Sequence, residues 1–162
     1  MAFQYYTSFK GSKQGQLKGE STKSKTPDKW VEIISVKMGS EVSFDSSSGG
    51  QPKGPRKHGP IVITKENGAS SPQLLQAHWQ NEVFVEVVLE KRLSSHVAQR
   101  ITLTNATIST VGRALGSLPR NGLQNAKNTN VLETFGFVFD KILVENVAGS
   151  TSATDDWTAN NS

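Results

Sequence analysis

The chain has 162 residues, of which 35% are hydrophobic and 20% are charged, and it contains no cysteine. A chain of this length predicts one domain with a substantial buried core. The absence of cysteine excludes a disulfide scaffold, a zinc ribbon or finger, and thiol chemistry. No segment approaches the ~20 apolar residues of a membrane helix, and the first residues lack the apolar region of a secretory signal. We therefore expect a protein without a signal peptide or membrane insertion.

Positive charge is concentrated in the first part of the chain. Residues 1–65 contain 11 Lys or Arg against 5 Asp or Glu, whereas residues 66–162 contain 7 against 9. A basic region can bind nucleic acid or another anionic surface. Here the lysines lie mostly among Gly, Ser and Pro rather than between aromatic residues. This placement favours a solvated surface over a nucleic-acid site.

Apolar periodicity predicts a β protein. The apolar face changes sides near Asn105 and again towards Ile142, which predicts bulges or bends in a curved or closing sheet. The expected fold is mainly β, a closed or nearly closed barrel of two sheets with one short flanking α-helix. The predicted strands are residues 3–9, 17–20, 30–38, 60–65, 82–91, 99–111 and 131–144.

Two of these strands have faces that can be assigned from the alternation. In residues 30–38, Ser35 and Lys37 point away from the face that carries Ile34, Val36 and Met38. In residues 82–91, the apolar face is predicted to carry Val83, Val85, Val87 and Leu89. The other face of this strand carries Glu82, Glu86 and Glu90, and we expect it to be hydrated.

Segments rich in Gly, Ser and Pro interrupt the strands. Residues 39–59 and 112–130 are predicted to be long loops without regular structure. Between them a helix is expected, with Ser71 as its cap, Pro72 at its first position and Asn81 as its terminator. Its apolar face carries Leu74, Leu75 and His78. The domain is expected to span residues 1–148, followed by a mobile polar tail over residues 149–162 that Trp157 could pin in part.

No arrangement of reactive groups emerges from the sequence. The three histidines, His58, His78 and His96, have no partner at a metal-ligand spacing, and His78 is expected to be packed and hydrogen-bonded. No nucleophile elbow or phosphate-binding glycine loop is present. Asp155 and Asp156 are expected to be solvated. We therefore predict a protein that is not an enzyme and needs no metal or other cofactor.

Several blocks of sequence resemble the haemolysin-coregulated protein (Hcp) family, the tube subunits of type VI secretion systems. The most specific block is Thr64-Lys65-Glu66 followed by Ser70-Ser71-Pro72 and Leu74-Leu75. The blocks occur in the family's order and cover most of the chain: residues 17–21, 30–35, 63–66, 70–77, 101–106 and 137–142.

The resemblance implies a structural function. Members of the family form hexameric rings that stack into a hollow tube, and a contractile sheath expels this tube behind a spike protein at its tip. Expected partners are therefore further copies of the chain, the spike protein, the sheath, and small protein effectors in the lumen. The chain would be cytoplasmic before firing and then secreted into the extracellular space or a target cell. No nucleic acid is expected as a partner.

The resemblance also implies two functional surfaces. Ser35 and Lys37 are expected to face the lumen and contact effectors, although an ordinary outward strand face is an equal alternative. The segment 39–59 is expected to extend between stacked rings, with a disordered surface loop as the alternative. The residues assigned to this stacking loop are Ser46, Gly49, Gly50, Pro55, Arg56 and Lys57.

Two other functions remain open on the residues alone. A monomeric β-sandwich that binds glycan or nucleic acid through its basic loops is the main alternative, and a hydrolase is the third possibility. A steep salt dependence of DNA binding would favour the nucleic-acid form of the first. Ring-shaped particles are expected only from a tube subunit.

Overall fold

The structure is a computed structural model, and it describes residues 3–19, 29–44, 52–93, 96–114 and 132–156. These residues form strands and one short helix, which confirms the predicted mainly β class. In chain order the elements are β1 (Gln4–Gly11), β2 (Gly15–Gln16), β3 (Val31–Ile33), β4 (Ser35–Lys37), β5 (Ser40–Phe44), β6 (Pro52–His58), β7 (Ile61–Glu66), α1 (Ser71–Trp79), β8 (Phe84–Leu93), β9 (His96–Ala114), β10 (Leu132–Val138), β11 (Lys141–Asn146) and β12 (Thr151–Asp156).

Two antiparallel sheets share the long strand β9. The first half of β9 pairs with β8 on one edge and with β11 on the other, and its second half pairs with β10. Beyond β8 the first sheet continues through β1 to β2 and β3, and beyond β11 it continues to β12. Beyond β10 the second sheet continues through β7 to β4. We call these the first and second sheets below.

A bend at Ile34 nearly closes the barrel. On one side of the bend β3 pairs with β1, and on the other side β4 pairs with β7. The Ile34 N–H itself donates to the Thr64 carbonyl at 2.7 Å. The predicted single strand 30–38 is therefore two strands, one in each sheet. Because the bend changes which side faces inwards, Ile33 is buried while Ile34 is 53% exposed, and only Val36 of the predicted apolar face packs on the core.

The predicted bend near Asn105 is confirmed. Asn105 has a φ of 52°, in the left-handed region that asparagine adopts more readily than most residues. At the same level the neighbouring chain breaks between β10 and β11, and the Asp140 N–H donates to the Thr104 carbonyl at 3.1 Å. The predicted strand 131–144 is therefore two strands that follow one edge of β9. The change of apolar face near Asn105 and the change towards Ile142 therefore have one cause, since β9 and its neighbour bend at the same level.

Aromatic side chains fill the barrel. The ring centroids of Phe9 and Phe137 are 5.7 Å apart, and those of Phe84 and Phe137 are 5.8 Å apart. Leu103 and Phe135 are buried beside them. Burial of this apolar surface is the main favourable contribution to folding.

A bulge in β8 reverses the predicted faces before it, whereas Glu86, Val87 and Leu89 after it are exposed or buried as predicted. Gly11 pairs with Phe84 but Lys10 pairs with Glu86, so Val85 is an extra residue on β8. One extra residue moves every earlier side chain to the opposite face. Phe84 and Glu82 are consequently buried, while Val83 and Val85 are exposed. Glu90 lies beyond the bulge and is buried beside Arg92, whose Nε is 3.3 Å from Glu90 Oε2. The predicted hydrated face is therefore wrong at Glu82 and Glu90.

Some segments predicted to be irregular contain strands. Within residues 39–59, β5 and β6 form an antiparallel hairpin, and in the predicted tail β12 pairs with β11 along its whole length. Residues 112–114 extend β9, whereas residues 115–131 and Trp157 lie outside the described residues. The short strand predicted at 17–20 lies earlier, as β2, and Leu17 is buried.

The helix follows the prediction except at its start. Ser70 occupies the N-cap position, and Ser71 belongs to the first turn, with its hydroxyl used elsewhere. Leu74 and Ala77 are buried, and His78 Nδ1 lies 3.1 Å from the Ile108 carbonyl, so His78 is packed and hydrogen-bonded as expected. The chain leaves the helix through Asn81, whose φ of 52° allows the turn that asparagine favours after a helix.

Candidate functional site

A buried ion pair within the second sheet binds Ser71 of the helix. The side chains of Lys65 on β7 and Glu133 on β10 are both 0% exposed, and Lys65 Nζ lies 3.7 Å from Glu133 Oε1. Ser71 lies between them: Lys65 Nζ donates to Ser71 Oγ at 3.0 Å, and Ser71 Oγ donates to Glu133 Oε1 at 2.5 Å. The conspicuous Lys-Glu…Ser-Ser-Pro block of the sequence therefore forms a polar connection inside the protein.

The same cluster holds the turn that precedes the helix. Lys65 Nζ also donates to the Glu66 carbonyl at 2.6 Å, and Ser71 Oγ accepts the Gly68 N–H at 3.0 Å. Arg113 on β9 faces Glu133 Oε2 at 3.6 Å and donates to Asn67 Oδ1 at 3.1 Å. Since buried polar groups are costly unless they are paired, this arrangement fixes residues 66–70 in one conformation.

A second buried carboxylate holds the β1–β2 turn. Glu82 Oε2 accepts the Lys13 N–H at 3.1 Å and the Gln14 N–H at 3.0 Å, and its Oε1 accepts Gln14 Nε2 at 3.2 Å. The Gln14 amide also donates to the Gln73 carbonyl of α1 at 3.0 Å. A Cβ at Gly11 would collide with Glu82 Oε2, so glycine is required there for the close approach. Glu82 thereby ties the turn to the end of the helix.

The β5–β6 hairpin is a two-stranded sheet separate from the barrel. At its base the Gly59 N–H donates to the Gly39 carbonyl at 2.8 Å. His58 Nε2 lies 2.7 Å from Asp155 Oδ2 of β12, and the His58 ring packs on Phe139 with centroids 5.5 Å apart. Asp155, predicted to be solvated, is therefore the partner that fixes the base of the hairpin to the first sheet.

The predicted stacking residues fall on or near this hairpin. Ser46, Gly49 and Gly50 lie outside the described residues. The backbone of Pro55, Arg56 and Lys57 belongs to β6. Their assignment to contacts between rings therefore remains a prediction.

The predicted lumen residues lie on the outer face of the second sheet. Ser35 pairs with Thr64, and Thr64 pairs in turn with Thr134, so the three hydroxyl side chains form one row across β4, β7 and β10. In the next row Lys37 pairs with Val62. Ser35 is half-buried and Lys37 is exposed. The structure groups Ser35 and Lys37 as predicted, and what they contact stays a prediction.

The buried charges were missed although the sequence contains a signal for them. Lys65 continues the period-two series of Ile61 and Ile63, and Glu133 begins the series that continues with Phe135 and Phe137. Opposite charges at core positions of two strands indicate a buried pair, because neither charge is stable there alone. Glu82 carried no such signal, since the bulge at Val85 shifts its face.

The described part of the chain holds no group of three or more His, Asp or Glu residues that could bind a metal ion. The same part contains no helix with the length and apolar character needed to span a membrane. The polar clusters described above connect elements of the fold to one another.

Comparison with known proteins identifies relatives of this fold. The family model described as "Type VI secretion system effector, Hcp" matches residues 6–145. No curated protein sequence matches the chain. A solved structure described as an Hcp protein superposes with a TM-score of 0.83 at 24% identity, covering 96% of this chain and 98% of that one.

Two further solved structures have the same fold. The secreted protein Hcp3 from Pseudomonas aeruginosa has a TM-score of 0.72 at 25% identity, covering 96% of this chain and 99% of that one. Hcp1 from Salmonella typhimurium has a TM-score of 0.71 at 18% identity, covering 98% and 97%. These comparisons place the chain in the class of secreted structural proteins of type VI secretion, the tube proteins. The chain belongs to the Hcp family.

Proposed function

We propose that this protein forms hexameric rings that stack into the hollow tube of a type VI secretion system, with small protein effectors carried in the lumen. The tube would be assembled in the cytoplasm, tipped by a spike protein and expelled by a contractile sheath. The match of the family model over residues 6–145 is the observation that carries this proposal. It favours the tube subunit over a monomeric sandwich that binds glycan or nucleic acid.

The packing of the barrel supports an assembly rather than an internal channel. Phe9, Phe84 and Phe137 meet at the centre of the barrel, and their rings fill the space between the sheets. A small barrel is ordinarily filled in this way by its own side chains. A lumen that holds a protein must therefore lie between subunits, as it does in a ring.

The proposal is tested by the mass and shape of the purified protein. We expect light scattering to give six times the mass of the chain and negative-stain images to show rings with a central hole. A single subunit at high concentration without such particles would contradict the proposal. Steeply salt-dependent DNA binding by that monomer would then favour the basic-loop alternative.

The outer face of the second sheet suits a lumen wall. Ser35, Thr64 and Thr134 present small hydroxyl groups in one row. The Thr134 hydroxyl lies over Gly112, and the Thr110 hydroxyl lies over Gly136. A Cβ added at either glycine would collide with that hydroxyl. The row of small hydroxyl side chains leaves room for cargo, and Lys37 in the next row adds one positive charge beside it. We therefore keep Ser35 and Lys37 as lumen residues in this proposal.

Replacing Ser35 with arginine is expected to lower effector retention while the rings persist, because the longer charged side chain narrows and charges the lumen wall. The measurement is the fraction of a co-expressed effector that stays with the ring through size-exclusion chromatography. Ser152→Arg, the same change on the exposed strand β12, serves as the control. Equal retention by both variants would remove Ser35 from the lumen.

The β5–β6 hairpin supports a stacking function. It forms its own sheet beside the barrel, and the His58–Asp155 contact sets the direction of its base. An arm anchored in this way can reach a neighbouring ring without losing pairs from the barrel. Arg56 and Lys57 add positive charge to the arm, which suits acidic groups on that ring.

Deleting residues 46–55 is expected to leave hexamers intact and to abolish tube formation, because the first residues of β6 and the connection before them are removed while the barrel strands remain. Light scattering measures the hexamer, and electron microscopy of concentrated protein measures the tubes. Tubes of normal length after the deletion would show that stacking does not use the hairpin.

A further inference from the structure

An open cleft lies where β1 begins. It encloses about 530 Å³, and Phe3, Tyr5 and Ile34 present apolar side chains along it. All three are exposed, and Ile34 is exposed over 53% of its surface. Glu32 and Glu66 also line the cleft. Apolar side chains grouped in a concave site indicate a surface that is covered in use.

A second apolar surface lies at the other end of the same strands. Trp79, the last residue of α1, is 70% exposed, and Val83 and Val85 are exposed after it. We call Trp79, Val83 and Val85 the apolar edge. Exposure of a tryptophan to this extent is uncommon without a partner, since the ring can bury roughly 150–250 Å².

The two surfaces are well separated. Tyr5 pairs with Ile33 at one end of β1, whereas the Ser12 N–H, just past the other end, donates to the Val83 carbonyl at 2.9 Å. Ser12 lies seven positions after Tyr5 along extended chain, which corresponds to roughly 23 Å. One surface therefore cannot cover the other within a single chain.

The residues that line the two surfaces differ in charge. Glu32 and Glu66 are the charged residues among those that line the cleft. Two cations contact other lining residues: Lys91 Nζ lies 4.0 Å from the centroid of the Phe3 ring, and Arg113 donates to Asn67. The apolar edge lies beside the exposed Lys10 and Lys13, with Glu86 opposite Lys10 in the sheet. The charged side chains that line the cleft are thus acidic, whereas two lysines and one glutamate lie beside the edge. Complementary charge favours one orientation of two surfaces over others.

We propose that a second copy of this chain occupies the cleft, with its Trp79 inserted between Phe3, Tyr5 and Ile34. This proposal rests on the ring proposed above and names the contact between neighbouring subunits. Each subunit then offers a cleft on one side and an apolar edge on the other. Such head-to-tail contacts produce a closed ring when the rotation between neighbouring copies is 360° divided by the number of copies.

The indole is the energetic centre of this contact. Tryptophan and tyrosine are among the residues that dominate binding energy when they are enclosed at the middle of an interface. The glutamates of the cleft and the lysines beside the edge lie around the indole in this contact, where charges affect orientation more than affinity. We therefore expect loss of the indole to weaken each contact by roughly 30-fold or more, equivalent to about 2 kcal/mol.

Two single substitutions test the contact from its two sides. Trp79→Glu removes the edge, and Ile34→Glu places a charge in the cleft. Both side chains are more than half exposed, so the folded subunit is expected to keep its circular dichroism spectrum and its unfolding midpoint. Light scattering is expected to show both variants as single subunits at concentrations where the unmodified chain forms rings. Val147 is an exposed apolar residue outside both surfaces, so Val147→Glu is the matched control and is expected to keep the rings.

Mixing the two variants tests the pairing itself. Trp79→Glu retains an intact cleft and Ile34→Glu retains an intact edge, so a mixture can form one good contact and no closed ring. We expect the mixture to give a dimer that neither variant gives alone. Rings that persist in either variant, or a mixture that stays monomeric, would overturn the proposed contact. An unmodified chain that is itself monomeric would instead overturn the ring.

Discussion

Replacing Lys65 with methionine is expected to lower the free energy of unfolding by about 3–5 kcal/mol. Methionine fills much of the space of the lysine stem but removes the cation beside Glu133. That carboxylate is wholly buried, and its Oε2 already lacks a hydrogen bond among the described residues. Arg113 Nε stays 3.6 Å from Oε2, but its side chain is 39% exposed, so the buried charge is only partly compensated. A buried charge that loses its buried partner is among the most destabilising results of one substitution.

Urea unfolding followed by circular dichroism measures this loss. Arg113→Ala removes the other cation near Glu133, but its side chain is 39% exposed, so we expect a loss within about 1 kcal/mol. The double variant Lys65→Met with Glu133→Leu is expected to recover most of the stability, since a buried ion pair can be replaced by apolar residues at little cost. If the Lys65→Met protein is as stable as the unmodified chain, the Lys65–Glu133 ion pair does not contribute to stability.

Replacing Glu82 with alanine is expected to lower the free energy of unfolding by about 2–3 kcal/mol. The change leaves the Lys13 and Gln14 N–H groups and the Gln14 amide without their acceptor. It also releases the β1–β2 turn from the end of α1, so hydrogen exchange at these two backbone amides is expected to accelerate.

The matched control is Glu86, which lies four residues further along the chain, on β8. Glu86 is exposed, and Glu86→Ala is expected to change stability by no more than about 0.5 kcal/mol. Equal effects of the two alanine substitutions would restore the hydrated glutamate face that alternation predicts. A larger effect at Glu82 in urea unfolding supports the buried acceptor.

The β class, the bend at Asn105 and the helix could be predicted from sequence because each leaves a local mark. Period-two alternation of apolar residues marks half-buried strands, and the helix carries Pro72 at its start and Asn81 at its end. The bend appears as a change of apolar face on β9 and on its neighbour. These features depend on residues close together in the chain.

The hairpin and β12 could not be predicted because β6 and β12 show no apolar alternation, and β5 offers only Val42 and Phe44. The β12 sequence is TSATDD, and β6 contains two prolines and a glycine. Strands of this kind depend on backbone hydrogen bonds to a partner and on neighbouring side chains rather than on a buried face of their own. The bulge at Val85 was hidden for a different reason, since one extra residue reverses the apparent faces without changing composition.

The candidate surfaces were predictable only in part. The grouping of Ser35 with Lys37 follows from the alternation within β4, and the structure extends it to Thr64 and Thr134. The pairing of His58 with Asp155 joins residues 97 positions apart, and no local pattern connects them. The cleft and Trp79 lie at opposite ends of β1 because of how the strands pair, and no local sequence pattern shows that pairing.

The shared strand β9 has a mechanical consequence. Its 19 residues run through both sheets, and β8, β10 and β11 pair along it. The hydrogen bonds of antiparallel strands lie perpendicular to the strand axis, so a pull along β9 shears many of them at once. A particle driven quickly through a resisting barrier would distribute that load over this whole ladder instead of peeling its bonds apart one after another.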